Sequence, residues 1–276
     1  MIGNYVPSTI SVESDFFIML HCRCLGHYGY IGNQMFQYAS LLGIADRNQM
    51  EYCVDMEHWK RGGFQPHLWH EFNLSAKHNS RPPRHGYSEA GFYYQESTED
   101  LFEETDVHGY FQTEKYFKHI ESKIRTEFAF RHETRYECDK YLQQLNLKNN
   151  APVVGVHVRR GDYLNLPQFH PNQTLEYYSK AREEFPDHQF VVVSDDRQWC
   201  KENMNMEVFE GSTPFADMCL LSLCDHNIIG NSSFSWWGSW LNKNPKKKVV
   251  APKQWFGPAF GNVGTKDLIP KEWIQL

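Results

Sequence analysis

Three short segments carry side chains suited to holding a polyanion, and each directly follows an apolar run. They read His157-Val158-Arg159-Arg160-Gly161-Asp162, Ser194-Asp195-Asp196 and Gly230-Asn231-Ser232-Ser233-Phe234-Ser235. Adjacent arginines present forked, permanently charged guanidinium groups that match phosphate oxygens bidentately. The Asn-Ser-Ser turn precedes a stretch with helical spacing, so its hydroxyls and backbone N–H groups stand at the positive end of a helix and form a second anion site. Together the segments suit a diphosphate held without metal. The carboxylates of Asp195, Asp196 and Asp217 fit a base or ribose better than phosphate, because guanine offers an N1–H and N2–H pair that one carboxylate accepts. Helix capping or a salt bridge would use the same side chains equally well.

The elements that must place these residues follow from the hydrophobic pattern. Val153–Val158, Phe190–Val193 and Asn227–Ile229 are continuous apolar runs of the kind found in parallel sheets. Between and after them, Thr174–Phe185, Phe215–Leu223 and Ser235–Leu241 have helical periodicity, the last carrying Trp236, Trp237, Trp240 and Leu241 at three- and four-residue offsets. This is a doubly wound α/β pattern, in which ligands bind beyond the carboxyl ends of the strands. The front of the chain repeats the theme. A strand is expected at Phe16–His21, a turn bearing Gly26, Gly29 and Gly32, a helix over Asn33–Asp46 and a strand at Glu51–Val54. The residues from Lys60 to Glu104 read as a long irregular excursion, and Tyr116–Phe130 as a helix. The polar stretch Gln143–Asn150 reads as a linker, which divides the chain into residues 1–150 and 151–276.

Composition bounds the function. The chain has 276 residues, 41% hydrophobic and 22% charged, enough for one large domain or two ordinary ones. With 28 Lys+Arg against 34 Asp+Glu, the net charge of -6 argues against a nucleic-acid coat and requires any anionic ligand to be met locally. No run reaches the ~18–20 apolar residues of a membrane span, so the sequence as written reads as soluble. Its seven cysteines lack C-x-x-C pairs, and most read as small buried apolar residues. Sequons start at Asn73, Asn172 and Asn231 and matter only in a secretory compartment. His67 and His70 have no third ligand at a metal-site spacing, Ser194-Asp195-Asp196 is not a D-x-D element, and Lys246–Lys248 reads as a solvated turn. Most of the aromatic residues, 15% of the chain, are expected in cores.

Five motifs, GNQMFQYA (Gly32–Ala39), GYFQTEKYF (Gly109–Phe117), HVRRGDY (His157–Tyr163), GNSSFSWW (Gly230–Trp237) and APKQWF (Ala251–Phe256), resemble those of the α-1,2-fucosyltransferases of glycosyltransferase family eleven and occur in the family's order. The resemblance implies a GT-B-like fold of two Rossmann-like domains facing a cleft. It implies GDP-fucose held mainly by the C-terminal domain, a galactose-terminated glycan acceptor on the other side, and inversion at the anomeric carbon. By resemblance, Arg159 faces the β-phosphate, Ser232 and Ser233 lie near the diphosphate, Asp217 reads guanine, and the Gly32-Asn33-Gln34 turn meets the sugar end of the donor. Arg160, Asp195, Asp196, Asn231 and Phe234 complete the expected donor site. Animal members of the family suggest the Golgi and protein glycosylation; bacterial-like or viral-like members suggest the cytoplasm.

The expected reaction needs no metal or other cofactor, because Arg159 can stabilise charge gathering on departing GDP. The acceptor hydroxyl must lose a proton, and Asp162, His157 and Asn33 are the nearby candidates for the catalytic set, with no residue singled out as base. An oxocarbenium-like transition state can also release the proton late, to water. One departure from the family pattern is Tyr30, which stands where a glycine is usual; if the backbone there needs positive φ, the side chain carries a steric cost and acceptor preference could differ. Two rival readings keep the same fold: a fucosyltransferase of another linkage or protein acceptor, and a catalytically silent sugar- or nucleotide-binding protein.

Overall fold

In the computed structural model, which describes residues 19–58 and 67–276, the chain builds two sheets whose strands pair in parallel throughout. The first has the order β3-β2-β1-β5-β4. Strand β1 (Met19–His21) leads through the glycine turn into helix α1 (Ile31–Arg47) and returns as β2 (Glu51–Val54). Residues 16–18 of the expected first strand lie outside the described residues.

The excursion expected to be irregular supplies two strands of this sheet, β3 (Lys77–His78) and β4 (His85–Ser88), before β5 (Thr105–His108). Both are edge strands with mostly exposed residues, so no apolar alternation marks them. The helix expected over Tyr116–Phe130 shortens to α2 (Glu121–Glu127), preceded by two 3₁₀ turns. The expected linker is also helical: α3 (His132–Asn149) runs through it and packs on the second half of the chain, Cys138 Sγ reaching the Ala216 carbonyl at 3.2 Å. Its mean polarity, with few apolar positions, hid the helix in sequence.

The second sheet has the order β11-β10-β9-β6-β7-β8. Its centre matches expectation in β6 (Val153–Val158), β7 (Gln189–Ser194) and β9 (His226–Ile228) and in α4 (Leu175–Arg182), α6 (Pro214–Leu223) and α7 (Ser233–Leu241), while α5 (Arg197–Asn203), between β7 and α6, was not expected. Strands β8 (Glu207–Val208), β10 (Val249–Ala251) and β11 (Ile274–Gln275) complete it. Each N-terminus of α4, α5, α6 and α7 is capped by the side chain of Thr174, Asp196, Thr213 or Ser232.

The tryptophans of α7 are core residues. Trp236 and Trp237 are fully buried, and their rings lie 4.5 and 5.1 Å from Phe36 of α1. Phe117 stacks on Trp237 at 5.3 Å. A single hydrophobic cluster therefore runs from Leu20 of the first sheet to Val249 of the second. At the far end of α7, Arg125 donates to the Trp240 and Leu241 carbonyls, and Lys247 Nζ donates to those of Ser239 and Asn242. Lys247 thus departs from the expected solvated turn: it caps a helix C-terminus, and burial lowers its pKa to about 8, whereas Lys246 and Lys248 are exposed. All seven cysteines are free and buried, as expected. Among the described residues, no helix is long and apolar enough to cross a membrane.

Candidate active site

Both sheets direct the carboxyl ends of their strands toward one cavity of about 740 Å³. Its volume suits a small-molecule substrate. The second sheet changes direction between β6 and β9, and the two segments that leave this crevice provide Arg159 on one side and Asn231, Ser233 and Phe234 on the other. Across the gap lie Gly32 and Asn33 from the first turn of α1.

Arg159 is the best-braced cation of the cavity. Its guanidinium contacts Asp162 at 2.6 Å and Asp195 at 3.1 Å, with the rings of Tyr163 and Tyr30 at 5.4 and 5.9 Å. Two carboxylates and two rings fix its orientation while further N–H groups stay available to a ligand. Tyr163 donates its hydroxyl to the Asn231 carbonyl and stacks on His170; burial pushes its pKa up to about 12, so it remains a donor.

His157 is buried beside Arg159 in this wall. Burial, reinforced by the neighbouring guanidinium, lowers its pKa to about 3. The imidazole is therefore neutral at working pH and a weak proton acceptor, and its Nδ1 has no hydrogen-bond partner among the described residues. Asp162 has one oxygen committed to Arg159.

Asp217 lies in the first turn of α6, also on the cavity, 3.2 Å from Arg197. Burial raises its carboxyl to about 6 against the opposing pull of Arg197. Gly211 gives it room: a Cβ there would lie 2.5 Å from Asp217 Oδ1. The carboxylate is thus partly desolvated and primed for a ligand that brings hydrogen-bond donors.

Asn33 is clamped between two neighbours. Its Oδ1 accepts from Gln112 Nε2 at 2.8 Å, and its amide packs on Gly29, whose φ of +73° and lack of a side chain admit it. Tyr30, next to it, has φ -93°, so the feared backbone strain does not arise; the residue is 67% exposed and extends its ring into the cleft toward Arg159.

Four expected site residues do not line the cavity. Arg160 points the opposite way from Arg159, stacking on Trp199 at 3.9 Å and pairing with Asp196 at 3.0 Å. Asp196 is spent on that pair and on capping α5. The Ser232 hydroxyl caps α7 at the Phe234 N–H, and Gln34 is buried, accepting from the His67 backbone at 2.9 Å. These residues shape the site from behind. Asn231 is 2% exposed with its amide bonded to Trp255 and Gln173, so its sequon offers no accessible acceptor.

Other lining residues escaped the sequence reading as site residues: Arg197, Tyr163, Tyr110, Gln112, Trp255 and Phe256. All but Arg197 lie inside the quoted motifs, and Arg197 directly follows the Asp195-Asp196 pair. His67 lines the cavity and faces His70 at 6.1 Å, but the described residues contain no cluster able to hold a metal ion.

Comparison with known proteins bears on this arrangement. The alpha-1,2-colitosyltransferase of Escherichia coli is 30% identical over 90% of this chain and 96% of its own length. The human galactoside alpha-(1,2)-fucosyltransferase 1 is 30% identical over 77% of this chain, and the match spans 63% of the human protein. Among solved structures, the NodZ alpha-1,6-fucosyltransferase soaked with GDP-fucose shares the fold with a TM-score of 0.52 at 16% identity, over 81% of this chain and 92% of that one. The two facing parallel sheets are accordingly a GT-B fold. The family model for Glycosyl transferase family 11 matches residues 25–276, every motif and cavity-lining segment included, and the chain belongs to that family.

Proposed function

We propose that the protein is an inverting transferase that moves L-fucose from GDP-β-L-fucose to the 2-hydroxyl of a terminal β-galactoside. The observation that carries this reading is the convergence, in one cavity at a sheet's switch point, of Arg159, the N-terminus of α7 and the Asp217–Arg197 pair. That set offers positive charge where a diphosphate would rest and a carboxylate where guanine would present its N–H edge.

In this scheme the bond from the anomeric carbon to the β-phosphate oxygen breaks as the acceptor oxygen attacks from the opposite face. Negative charge gathers on GDP, where Arg159 and the Ser233 backbone N–H at the start of α7 receive it. The leaving group needs no metal ion, since Arg159, Arg197 and the helix dipole already supply the compensating charge. His157, neutral and with no partner for its Nδ1 among the described residues, serves better as a hydrogen-bonding wall than as a base. The acceptor proton passes to a carboxylate such as Asp162 or to water after carbon–oxygen bond formation has advanced.

A mass-tagged donor assay against lactose and N-acetyllactosamine, with NMR analysis of the new linkage, tests the reading. GDP binding without product supports the silent-protein alternative, and another linkage or product only on a protein hydroxyl supports an altered acceptor. A strict Mn²⁺ requirement, or loss of turnover in excess chelator, contradicts the metal-free scheme. A second donor is favoured by the colitosyltransferase relative, which aligns over nearly its full length. Colitose is fucose without its 3-hydroxyl, so competition between GDP-fucose and GDP-colitose decides between the two sugars.

A further inference from the structure

The first sheet has its own switch point, between β1 and β5; Gly32, Asn33, Tyr110 and Gln112 from the segments that leave it line the cavity, whereas Tyr28 and His108 at the same strand ends do not. The segment following β1 carries Tyr28, and β5 ends at His108. Ligands of open α/β sheets bind in such crevices, outside the carboxyl ends of the strands. Tyr28 is 38% exposed, and its ring lies 5.1 Å from that of the exposed His108 and 5.9 Å from that of Tyr110. Tyr110 belongs to the catalytic cavity, where it stacks on Phe92. The rings therefore form a strip that starts inside the cavity and continues outward over the first sheet.

Polar groups border the strip. Arg23, part-exposed, pairs with Asp55 at 3.6 Å and reaches His58 Nδ1 at 3.2 Å, and its backbone N–H donates to Asp106. The guanidinium is thus engaged by Asp55 and His58, and the border of the strip offers both donors and acceptors. Aromatic faces beside charge-balanced planar donors and acceptors match the two faces of a pyranose, apolar C–H on one side and hydroxyls at the rim.

We propose that Tyr28 and His108 form a second glycan subsite, which binds the neutral sugar units of the acceptor that lie beyond the galactoside receiving the transferred residue. This deepens the acceptor reading of the proposed function and rests on it. The acceptor is then an oligosaccharide end, and the enzyme prefers a longer chain to a free disaccharide.

The test compares wild type with Tyr28→Ala and His108→Ala on acceptors of two to six sugars that share one terminal galactoside, at saturating GDP-fucose. Wild type should show a KM about tenfold lower for the longest acceptor than for the disaccharide, the scale of one or two aromatic contacts. Tyr28→Ala should abolish that advantage while kcat/KM on the disaccharide stays within about twofold. A wild type indifferent to length overturns the subsite, as does a length advantage surviving in both variants or an equal loss on short and long acceptors. If no galactoside is fucosylated at all, the proposed function fails instead. Saturation-transfer NMR on the unreacted oligosaccharides then still reads the strip, through contacts on inner sugar units that must be present in wild type and disappear in Tyr28→Ala.

Discussion

Gly32, in the first turn of α1, rests against the backbone of Ser233 at the start of α7: a Cβ on Gly32 would lie 2.4 Å from the Ser233 carbonyl carbon and the Phe234 nitrogen. The N-termini of two helices, one from each sheet, therefore touch at the edge of the cavity. Backbone cannot yield as a flexible side chain does, so Gly32→Ala must push the helices apart. The expected cost is about 1–3 kcal/mol of stability, together with weakened GDP binding. Thermal melting and GDP titration of the variant check both; an unchanged melting temperature with normal binding contradicts the close approach.

Arg159→Ala should lower kcat about 10²–10³-fold, the scale of losing a preorganised charge donor at a developing anion. Arg159→Lys should recover little, because an ammonium cannot contact Asp162, Asp195 and a phosphate in one plane. Circular dichroism should show an intact fold in both. Steady-state kinetics at saturating donor are decisive, and near-normal turnover in Arg159→Ala removes the guanidinium from the mechanism.

The Asp217 carboxyl, raised to about 6 by burial, gives the donor site a pH limb. If the ionised form receives the guanine N–H pair, GDP affinity should be full above pH 7 and fall as pH drops through 6. Asp217→Asn should raise the donor KM about 10–100-fold at pH 7.5, the range for a hydrogen bond to a charged group, and erase the limb. Calorimetric titration of GDP between pH 5 and 8 measures it.

Glu89 supports the opposite wall. One of its oxygens accepts the backbone N–H groups of Tyr110 and Phe111, each at 2.8 Å, and holds a turn in which Phe111 has φ +51°. Burial raises its carboxyl to about 7, the two N–H groups only partly opposing. Because the folded value lies above the unfolded one, this group's stabilisation is full below about pH 4.5 and is lost as pH rises through 7. The shift corresponds to at most about 3 kcal/mol. Glu89→Gln should remove that slope, so the stability difference between variant and wild type should move in the variant's favour from pH 5 to pH 8. Urea denaturation at the two pH values reads it.

The second half of the chain was legible because β6, β7 and β9 are largely buried on both faces and β6 and β7 leave mostly apolar runs. Strand β4, His-Gly-Tyr-Ser at an edge, buries too little to leave a pattern. Helix α3 was hidden for a related reason, since it docks through few residues such as Cys138 and Leu145. Within the site, motif and strand-end position pointed to Arg159, Asp195, Asn231 and Ser233, all of which line the cavity. They could not separate Arg159 from Arg160, because which guanidinium faces a ligand depends on Trp199, some 40 residues along, offering its face to one of them. Tyr30 shows the converse: a residue suspected of straining the chain has an ordinary backbone and sets its ring beside the Arg159 guanidinium.

The indoles of α7, wedged among Phe36, Phe117 and Phe128, weld the halves into one cooperative body. Lobes joined through polar, shallow seams can rock apart, but here rocking would expose the largest apolar side chains of the molecule to water. Access and product escape must therefore rely on motions of mouth residues such as Tyr30, and heating should melt both lobes in one transition.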